Sequence, residues 1–451
     1  MKAMTLANIQ QVTGGTVYGC ADVQVSSVVI DSRAVQPGSL FVAIKGERAD
    51  GHSYLSQAQA AGAVAALVQV KQAVTLPQLQ VENPVLAMTL LAKNYAANFA
   101  GQIIAITGSC GKTTTKEMLV EILQQNKKVA FTSGNQNNEI GVPLTVLAID
   151  ENAEAAVIEM GAAQRGDIAY LMDIVAPDIS VITNIGSAHV GRFGDLQAIA
   201  ETKAEIYRYL PVNGKAAINL DQPQAQNWLE MLSGKSVLTF SLNCADADLY
   251  VSEIKAGTGG SDFILHYQGA EQHLHLPVAG MHNISNALAA AACALLAGSS
   301  LADVVAGLCA FKTVHSRLQV LQGYWHGTLI DDCYNANPVS VKAAVDVLAK
   351  YPGRKTLVLG DMAELGEASA DSHAEVGTYA ARQQIDVLLT CGKDSAYASE
   401  AFAGNSQHFA DKTSLLEALS AGLQAGDVVL IKGSRSAAME TLVEQLQQKG
   451  H

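Results

Sequence analysis

The chain has 451 residues, of which 49% are hydrophobic and 16% are charged, and its formal net charge is -13. This length predicts about three domains, and the apolar content excludes a disordered chain because it is enough to build large cores. The negative charge argues against a nucleic-acid partner held by bulk electrostatics, so an anionic ligand would need local cationic pockets.

The cysteines and the apolar stretches bear on the cellular compartment. Seven cysteines are present, an odd number, without any C-x-x-C spacing, which is typical of a reducing cytosol rather than of disulfides or a structural zinc site. Residues 1–15 lack the apolar core of a secretory signal, and the longest apolar stretch, residues 287–298, is too short to cross a bilayer. We therefore expect a cytoplasmic protein without membrane insertion.

The first segment, residues 1–83, has the pattern of a small α/β domain. Apolar and β-branched runs predict strands at 25–30, 39–44 and 66–70, and an alanine-rich stretch predicts a helix at 58–66. The boundary is placed at residues 82–84, because Pro84 disfavours helix in the residue before it.

The second segment, residues 84–312, opens with a predicted helix to about residue 100. A strand at 103–106, a glycine-rich turn at 107–111, an amphipathic helix and apolar runs at 155–160 and 179–183 follow. Strands that alternate with helices predict a parallel sheet covered on both faces. Residues 247–278 alternate in polarity and contain three glycines, which predicts antiparallel strands at one side of this domain.

The third segment, residues 313–451, predicts a second doubly wound sheet, with strands at 327–331, 355–359, 386–390 and 427–431. The predicted fold class is therefore α/β with three domains. They are a small α/β N-terminal domain, a central P-loop mononucleotide-binding domain with a parallel sheet, and a C-terminal Rossmann-like domain.

The strongest local signal lies between the predicted strand at 103–106 and the helix after it. It is the run Thr107, Gly108, Ser109, Cys110, Gly111, Lys112, Thr113 and Thr114. Glycines let backbone N–H groups approach phosphate oxygens, and a helix N-terminus adds partial positive charge. Lys112 would bind the β- and γ-phosphates, and the Thr113 hydroxyl would face magnesium. A strict Walker loop has glycine where Ile106 stands, so an ordinary glycine turn is the alternative.

Cys110 stands inside this run, next to the predicted helix N-terminus. Such a position makes a thiol more reactive, so we expect alkylation of Cys110 that ATP prevents. The alternative is that Cys110 only fills space in the loop.

Two further groups stand at predicted strand ends, where open α/β sheets bind ligands. Glu159 ends one apolar run, and His189 follows another. Beside a phosphate loop, they would hold Mg²⁺ or its waters, since magnesium prefers few protein oxygens and several waters. Taken singly, Glu159 could instead cap a helix and His189 could be an ordinary loop histidine.

Lys203 lies on the apolar stripe of a helix predicted from residue 196, between Ile199 and Ile206. An unpaired buried ammonium is costly, so the side chain should be paired, deprotonated or chemically modified. The alternative is a lysine at the stripe edge whose stem packs while its ammonium reaches water.

Four more polar residues are candidates for nucleotide contacts. Asn283 would cap the helix that follows Gly280, and Asn286 would point along the same face. Arg317 would hold a phosphate, and Asp332, at a predicted strand end, would accept hydrogen bonds from ribose hydroxyls. Each signal is weak alone.

Together these residues resemble the Mur ligases, ATP-dependent amino-acid ligases of bacterial cell-wall precursor synthesis. The resemblance covers nearly the whole chain in order, and the stretches that carry it are 31–33, 38–43, 50–52, 134–145, 334–338, 360–366 and 432–435. The Asn-Ala-Asn-Pro and Gly-Asp-Met segments favour the member that adds D-alanyl-D-alanine. The Asp-Asn-Pro-Arg signature of the preceding ligase is absent.

The resemblance implies a role for each candidate residue. Lys112, Lys203, His189 and Glu159 would be catalytic, and Thr113, Glu159, His189 and carbamylated Lys203 would hold two Mg²⁺ ions. ATP would contact the loop residues 108–114 with Asn283, Asn286, Arg317 and Asp332. Ser32, Arg33, Asp50 and His52 would bind the UDP part of the substrate, with Asn135, Asn137, Asn138 and Asn337 near the peptide.

The implied reaction joins D-alanyl-D-alanine to UDP-N-acetylmuramoyl-tripeptide through an acyl phosphate and a tetrahedral intermediate. The third domain would bind the incoming dipeptide, and the protein would act as a monomer. One alternative is a folylpolyglutamate synthase-like ligase, and another is a nucleotide-gated binding protein without chemistry. The sequence leaves open whether the third residue of the tripeptide is meso-diaminopimelate or lysine.

Overall fold

A computed structural model describes residues 1–47, 49–186 and 190–447, without the side chains of residues 190 and 192. It has three α/β domains in chain order, each with its own main sheet, which confirms the predicted fold class. The first has strands β1 (Met4–Thr5), β2 (Thr16–Tyr18), β3 (Gln24–Val25), β4 (Ser27–Val29), β5 (Ser39–Val42), β6 (Ala65–Val68) and β7 (Gln78–Gln80), and helices α1 (Leu6–Thr13) and α2 (Leu55–Ala60).

The first domain is built on a five-stranded sheet in the order β2-β7-β6-β5-β4, in which only the β2–β7 pair is antiparallel. The helix predicted at 58–66 is wrong in its bounds, because α2 begins at Leu55 and ends at Ala60. Gly62 takes a φ of +106°, which turns the chain out of the helix. Ala65 and Ala66 belong to the buried strand β6, and alanine alone does not distinguish a helix from a buried strand.

The central domain has nine strands and nine helices among the described residues. The strands are β8 (Gln102–Thr107), β9 (Val129–Phe131), β10 (Ala155–Glu159), β11 (Ile179–Ile182), β12 (Lys215–Asn219), β13 (Ser236–Ser241), β14 (Leu249–Ala256), β15 (Ser261–Tyr267) and β16 (Ala270–Leu276). The helices are α3 (Pro84–Ala97), α4 (Lys112–Leu123), α5 (Gly141–Leu147), α6 (Asp167–Val175), α7 (Val190–Phe193), α8 (Leu196–Arg208), α9 (Ala225–Met231), α10 (Met281–Leu296) and α11 (Leu301–Ala310).

The central sheet has the order β16-β15-β14-β13-β12-β11-β8-β10-β9. Strands β8 to β14 pair in parallel, and β14, β15 and β16 pair antiparallel at one edge, as the alternating stretch 247–278 predicts. After β8, the chain adds β9 and β10 on one side of β8 and then β11 on the other side. The sheet therefore reverses its winding at β8, and ligands of open α/β sheets bind at such points.

The third domain has strands β17 (Gln319–Gln322), β18 (Thr328–Asp332), β19 (Lys355–Gly360), β20 (Val387–Cys391), β21 (Asn405–Phe409) and β22 (Val428–Lys432), and helices α12 (Pro338–Leu348), α13 (Ser369–Arg382), α14 (Ala396–Ala401), α15 (Lys412–Gly422) and α16 (Glu440–Leu446). Its sheet has the order β17-β18-β22-β19-β20-β21. All pairs are parallel except β17–β18. The four predicted strands are confirmed, but the two edge strands, β17 and β21, were not predicted.

The first two domains share one apolar core. Helix α3 begins at Pro84, where the Asn83 side chain accepts hydrogen bonds from the first two free N–H groups, so the predicted boundary falls at a helix start. Buried residues of α3 belong to one core with Leu6 and Ile9 of α1, and α3 also contacts α5 and α6 of the central domain. In the described part of the chain, no helix combines the length and apolarity that a membrane crossing requires.

Candidate active site

The glycine-rich turn lies at the carboxyl end of β8, directly before α4. Gly111 occupies the N-cap position of α4 with a φ of +79°, and no side chain caps the first turn of the helix. The first N–H groups of α4 are thus available to an anion, and the helix dipole favours negative charge there. The Lys112 ammonium folds back onto the turn and donates to the Gly108 carbonyl at 2.9 Å.

The turn is fastened to the end of the neighbouring strand β11. The amide of Asn184 accepts from the Cys110 N–H and donates to the Cys110 carbonyl, both at 3.0 Å. The Thr183 hydroxyl donates to the same carbonyl at 2.6 Å, and Ser109 exchanges two hydrogen bonds with Gly186. A Cβ atom on Gly108 would lie 1.9 Å from the Thr183 hydroxyl oxygen, so only glycine fits this close approach.

Glu159, the last residue of β10, faces the first turn of α4. Its carboxylate accepts from the Thr113 hydroxyl at 2.9 Å and from the Asn137 amide at 2.8 Å. Only 2% of Glu159 is exposed, so its carboxylate points into a protected site beside the turn. His189 lies outside the described residues, and the structure says nothing about that candidate ligand.

Lys203 lies on α8 and is 2% exposed, so the burial expected from the apolar stripe is confirmed and the water-reaching alternative is wrong. Burial, reinforced by the positive charge of Lys112, lowers the pKa of the Lys203 ammonium to about 7. A substantial fraction of the side chain is then a neutral amine near pH 7, which is its nucleophilic form.

The third domain contributes Arg317 to the same place. Its guanidinium donates to the Thr113 hydroxyl at 3.0 Å and lies 4.1 Å from the centre of the Tyr334 ring. The buried Arg317 Nε has no hydrogen-bond partner among the described residues. Arg317 thus places a guanidinium within hydrogen-bond distance of the first turn of α4, where its positive charge would favour a bound phosphate.

Asp332 ends β18 and is paired with a lysine that the sequence did not single out as a site residue. The Lys432 ammonium donates to the Asp332 carboxylate at 2.5 Å and to the Asn335 carbonyl at 2.9 Å. The other carboxylate oxygen of Asp332 accepts from the Leu318 N–H at 3.2 Å. Lys432 ends the neighbouring parallel strand β22. Its position just after a predicted strand could have identified it as a site residue from the sequence.

The expectation that Asn283 caps α10 is wrong. The helix begins at Met281 with Gly280 at the N-cap, where a φ of +103° suits glycine. Asn283 lies inside the first turn, and its amide donates back to the Ala279 carbonyl at 2.7 Å. Asn286 is one turn further along α10, and its side-chain oxygen would lie 2.2 Å from a Cβ atom on Gly111. Both asparagines line the cleft, as the shared helix face predicts.

These groups open into one cleft of about 1620 Å³ between the central and third domains. Its lining includes most of the predicted site: Ser109, Cys110, Gly111, Lys112, Thr113, Thr114, Asn135, Asn137, Asn138, Glu159, Lys203, Asn283, Asn286, Arg317, Asp332 and Asn337. Asn337 caps α12 and donates to the Cys110 sulfur at 3.2 Å, which joins the two domains directly. Asn138 has a local role as well, because its side chain accepts from the Gly141 N–H at the start of α5.

The four predicted UDP-binding residues do not line this cleft. Ser32 is buried and donates to Gln57 at 3.2 Å, and Arg33 is exposed and paired with Asp31 at 2.7 Å. Asp50 accepts from the His52 N–H and contacts its ring at 2.7 Å. In the first domain these residues brace two short 3-10 turns.

Comparisons with known proteins agree with this geometry. Three family models match in order: "Mur ligase family, catalytic domain" at residues 24–97, "Mur ligase middle domain" at 106–294, and "Mur ligase, glutamate ligase domain" at 316–435. The UDP-N-acetylmuramoyl-tripeptide–D-alanyl-D-alanine ligase of Escherichia coli is 41% identical over 100% of both chains. The chain belongs to the Mur ligase family.

Solved structures of the Mur ligase family extend the match to three dimensions. MurF from Acinetobacter baumannii is 34% identical over 100% of both chains, with a TM-score of 0.93. MurF ligase from Thermotoga maritima in complex with ADP is 30% identical, with a TM-score of 0.83 over 93% of this chain and 96% of that chain. Folylpolyglutamate synthase from Mycobacterium tuberculosis is 19% identical, with a TM-score of 0.64 over 81% of this chain and 95% of that chain, and shares the fold alone.

The accessible thiol in the turn gives a direct test of ligand binding there. We expect N-ethylmaleimide to modify Cys110, and saturating ATP with Mg²⁺ to slow that modification, because Cys110 lines the cleft beside Lys112. Peptide mass spectrometry would measure the rate, and the exposed Cys20 and Cys309 are internal controls whose rates should not change. Equal Cys110 rates with and without nucleotide would contradict binding at the turn.

Proposed function

We propose that this Mur ligase joins D-alanyl-D-alanine to UDP-N-acetylmuramoyl-tripeptide, with ATP as the energy source, in peptidoglycan precursor synthesis. The observation that carries the proposal is the convergence of the uncapped α4 N-terminus, Lys112, Glu159 and Arg317 in one cleft. Full-length similarity to ligases with this activity supports the substrate assignment. The folylpolyglutamate synthase alternative has only a shared fold behind it.

ATP would bind with its phosphates on the turn at residues 108–114. Lys112 and the α4 N–H groups would hold the β- and γ-phosphates, and the Arg317 guanidinium beside Thr113 would add positive charge from the third domain. Asn283, Asn286 and Asp332 line the same cleft and are proposed as further nucleotide contacts. The Thermotoga maritima relative in complex with ADP supports this use of the site.

The residues beside the turn fit magnesium. The Thr113 hydroxyl and the Glu159 carboxylate are hard oxygen groups 2.9 Å apart, which Mg²⁺ prefers. The described residues contain no cluster of three or more His, Cys, Asp or Glu side chains that could hold a metal. Because Mg²⁺ binds phosphate oxygens and keeps several waters, the nucleotide and water would supply its remaining ligands. Bound magnesium would offset phosphate charge during transfer. We propose a second ion near Glu159, His189 and Lys203.

Lys203 is proposed to be carbamylated. The neutral amine adds to carbon dioxide, one N–H proton is released, and the product is an anionic carbamate with two oxygens. The lowered pKa of Lys203 supplies the reactive amine near neutral pH. The change would also place an anion beside Lys112, which attracts the Lys112 ammonium, whereas a protonated Lys203 would repel it.

The proposed reaction must first activate the substrate carboxylate, because an amine does not attack a carboxylate directly. A carboxylate is a poor electrophile, so transfer of the γ-phosphoryl group first makes an acyl phosphate and ADP. The amine of D-alanyl-D-alanine then attacks the acyl carbon, a tetrahedral intermediate forms, and phosphate leaves as the amide appears. Lys112 and Arg317 would stabilise charge on the transferring group, and the cleft would exclude water that hydrolyses the acyl phosphate.

Each domain is proposed to have one binding task. Residues 1–83 would hold the UDP part through Ser32, Arg33, Asp50 and His52, residues 84–312 would hold ATP, and residues 313–451 would hold the dipeptide. Asn135, Asn137, Asn138 and Asn337 would face the peptide. We propose a monomer in the cytoplasm, and the seven free thiols support a reducing compartment.

A substrate-pair assay tests this function. ADP release should require both UDP-N-acetylmuramoyl-tripeptide and D-alanyl-D-alanine, and mass spectrometry should find the joined product. Release that folate substrates stimulate would favour the other ligase class. ATP binding without turnover for every pair would favour a nucleotide-gated binding protein.

A further inference from the structure

A buried lysine on α4 lies away from the cleft and has no part in the chemistry above. Lys116 is 1% exposed, and its ammonium donates to the Thr132 carbonyl at 2.6 Å. The Glu117 carboxylate, 2.8 Å away, supplies the opposite charge, and the Phe131 ring lies 5.3 Å from the ammonium. Burying an ammonium is costly unless its contacts are specific, so the Lys116–Thr132 bond is a defined structural link.

Thr132 is also hydrogen-bonded to Glu159. It follows β9, is fully buried, and its N–H donates to the Val157 carbonyl at 3.0 Å. Its hydroxyl accepts from the Glu159 N–H at 2.9 Å, at the point where β10 ends. The Thr132 hydroxyl therefore holds the main chain of Glu159, and Lys116 in turn holds the main chain of Thr132.

The side chain of Glu159 closes the connection into a ring. Its carboxylate accepts from the Thr113 hydroxyl, and Thr113 lies three residues before Lys116 on α4. Residues at this spacing share one helix face. Three buried hydrogen bonds thus link Lys116 to Thr132, Thr132 to Glu159, and Glu159 to Thr113. The first turn of α4 joins Thr113 to Lys116 through the main chain, so the four residues form a closed circuit that contains the Thr113 hydroxyl and the Glu159 carboxylate.

We propose that Lys116 and Thr132 are positioning residues that set the separation of these two oxygen groups and thereby the affinity for a nucleotide-bound divalent cation. The inference rests on the proposed function, because Thr113 and Glu159 are its candidate metal groups. Hydrogen-bond partners behind a ligand orient it, and their loss costs about 10- to 100-fold in metal affinity. Neither Lys116 nor Thr132 lines the cleft, so both act through other residues.

The test compares Thr132→Val, which keeps the shape and loses the hydroxyl, with Thr132→Ser, which keeps the hydroxyl. Binding of Mn²⁺ in the presence of ADP would be followed by electron paramagnetic resonance, together with the Mg²⁺ concentration for half-maximal turnover. We expect Thr132→Val to weaken Mn²⁺ binding by about tenfold or more and Thr132→Ser to retain most of it. Thr356→Val, at a buried threonine in β19, is the control and should leave Mn²⁺ binding unchanged.

Lys116→Met keeps the aliphatic stem, removes the ammonium, and should raise the Mn²⁺ dissociation constant like Thr132→Val. If Lys116→Met does not fold, the comparison of Thr132→Val with Thr132→Ser still tests the inference. Equal Mn²⁺ binding by Thr132→Val and the unsubstituted protein, or equal losses in the Val and Ser variants, would overturn the inference alone. Failure of the unsubstituted protein to bind Mn²⁺ with ADP would instead contradict the proposed function on which it rests.

Discussion

Lys203→Met is expected to lower turnover by about 100-fold without loss of folding at pH 7. Lys203 lines the cleft, and methionine can fill its space but can supply neither an amine nor a carbamate oxygen. Steady-state ADP release with both substrates would measure the loss. Lys93→Met, at an exposed lysine paired with Asp173, is the matched control and should keep its activity.

The same Lys203→Met variant should change the pH dependence of stability. The pKa of Lys203 falls from 10.5 to about 7 on folding, because burial disfavours the ammonium. Between these pH values the unfolded chain binds more protons at this site than the folded chain, so the free energy of unfolding rises with pH across this window. The Lys203→Met variant lacks this contribution to the pH dependence of the free energy of unfolding.

Denaturant titrations at pH 7 and pH 9, in carbon dioxide-depleted buffer, would compare the two proteins. The unsubstituted protein should gain stability relative to Lys203→Met at the higher pH. Full activity of the variant would remove Lys203 from the mechanism, and identical pH profiles of stability would contradict its lowered pKa.

Lys112→Met is expected to lower kcat by about 100- to 1000-fold, the effect of losing a charge-stabilising donor at a transferring group. The Lys112 ammonium bonds only to the Gly108 carbonyl of its own turn among the described residues, so its removal leaves the domain core intact. Calorimetric titration should show a larger affinity loss for a non-hydrolysable ATP analogue than for ADP, because ADP lacks the γ-phosphate. Lys128→Met, at an exposed lysine of the same domain, should behave like the unsubstituted protein. Equal losses for the two nucleotides would argue against a contact between Lys112 and the γ-phosphate.

Features set by neighbouring residues could be predicted from the sequence. The strand, turn and helix around Lys112 are local, because an apolar run, two glycines and helical spacing occur within about 20 residues. The burial of Lys203 follows from the stripe it shares with Ile199 and Ile206. The two sheet edges were harder, since β17 and β21 are short, partly exposed strands without a continuous apolar run.

Contacts between distant parts of the chain could not be predicted in this way. Arg317 reaches Thr113 across 204 positions, and Lys432 reaches Asp332 across 100, so no periodicity connects them. The family resemblance suggested a role for Arg317 but left Lys116 and Thr132 unnoticed, because their importance appears only in the folded circuit with Glu159. The misplaced cap at Asn283 has a local cause, since Gly280 can adopt a backbone conformation that asparagine rarely does.

A crystal structure with a non-hydrolysable ATP analogue and Mg²⁺ tests the central claim most directly. It should place the β- and γ-phosphates against the first turn of α4, with Lys112 and Arg317 in contact and the metal beside Thr113 and Glu159. Nucleotide bound elsewhere, with this turn empty and the Glu159 carboxylate still bonded only to Thr113 and Asn137, would contradict the account.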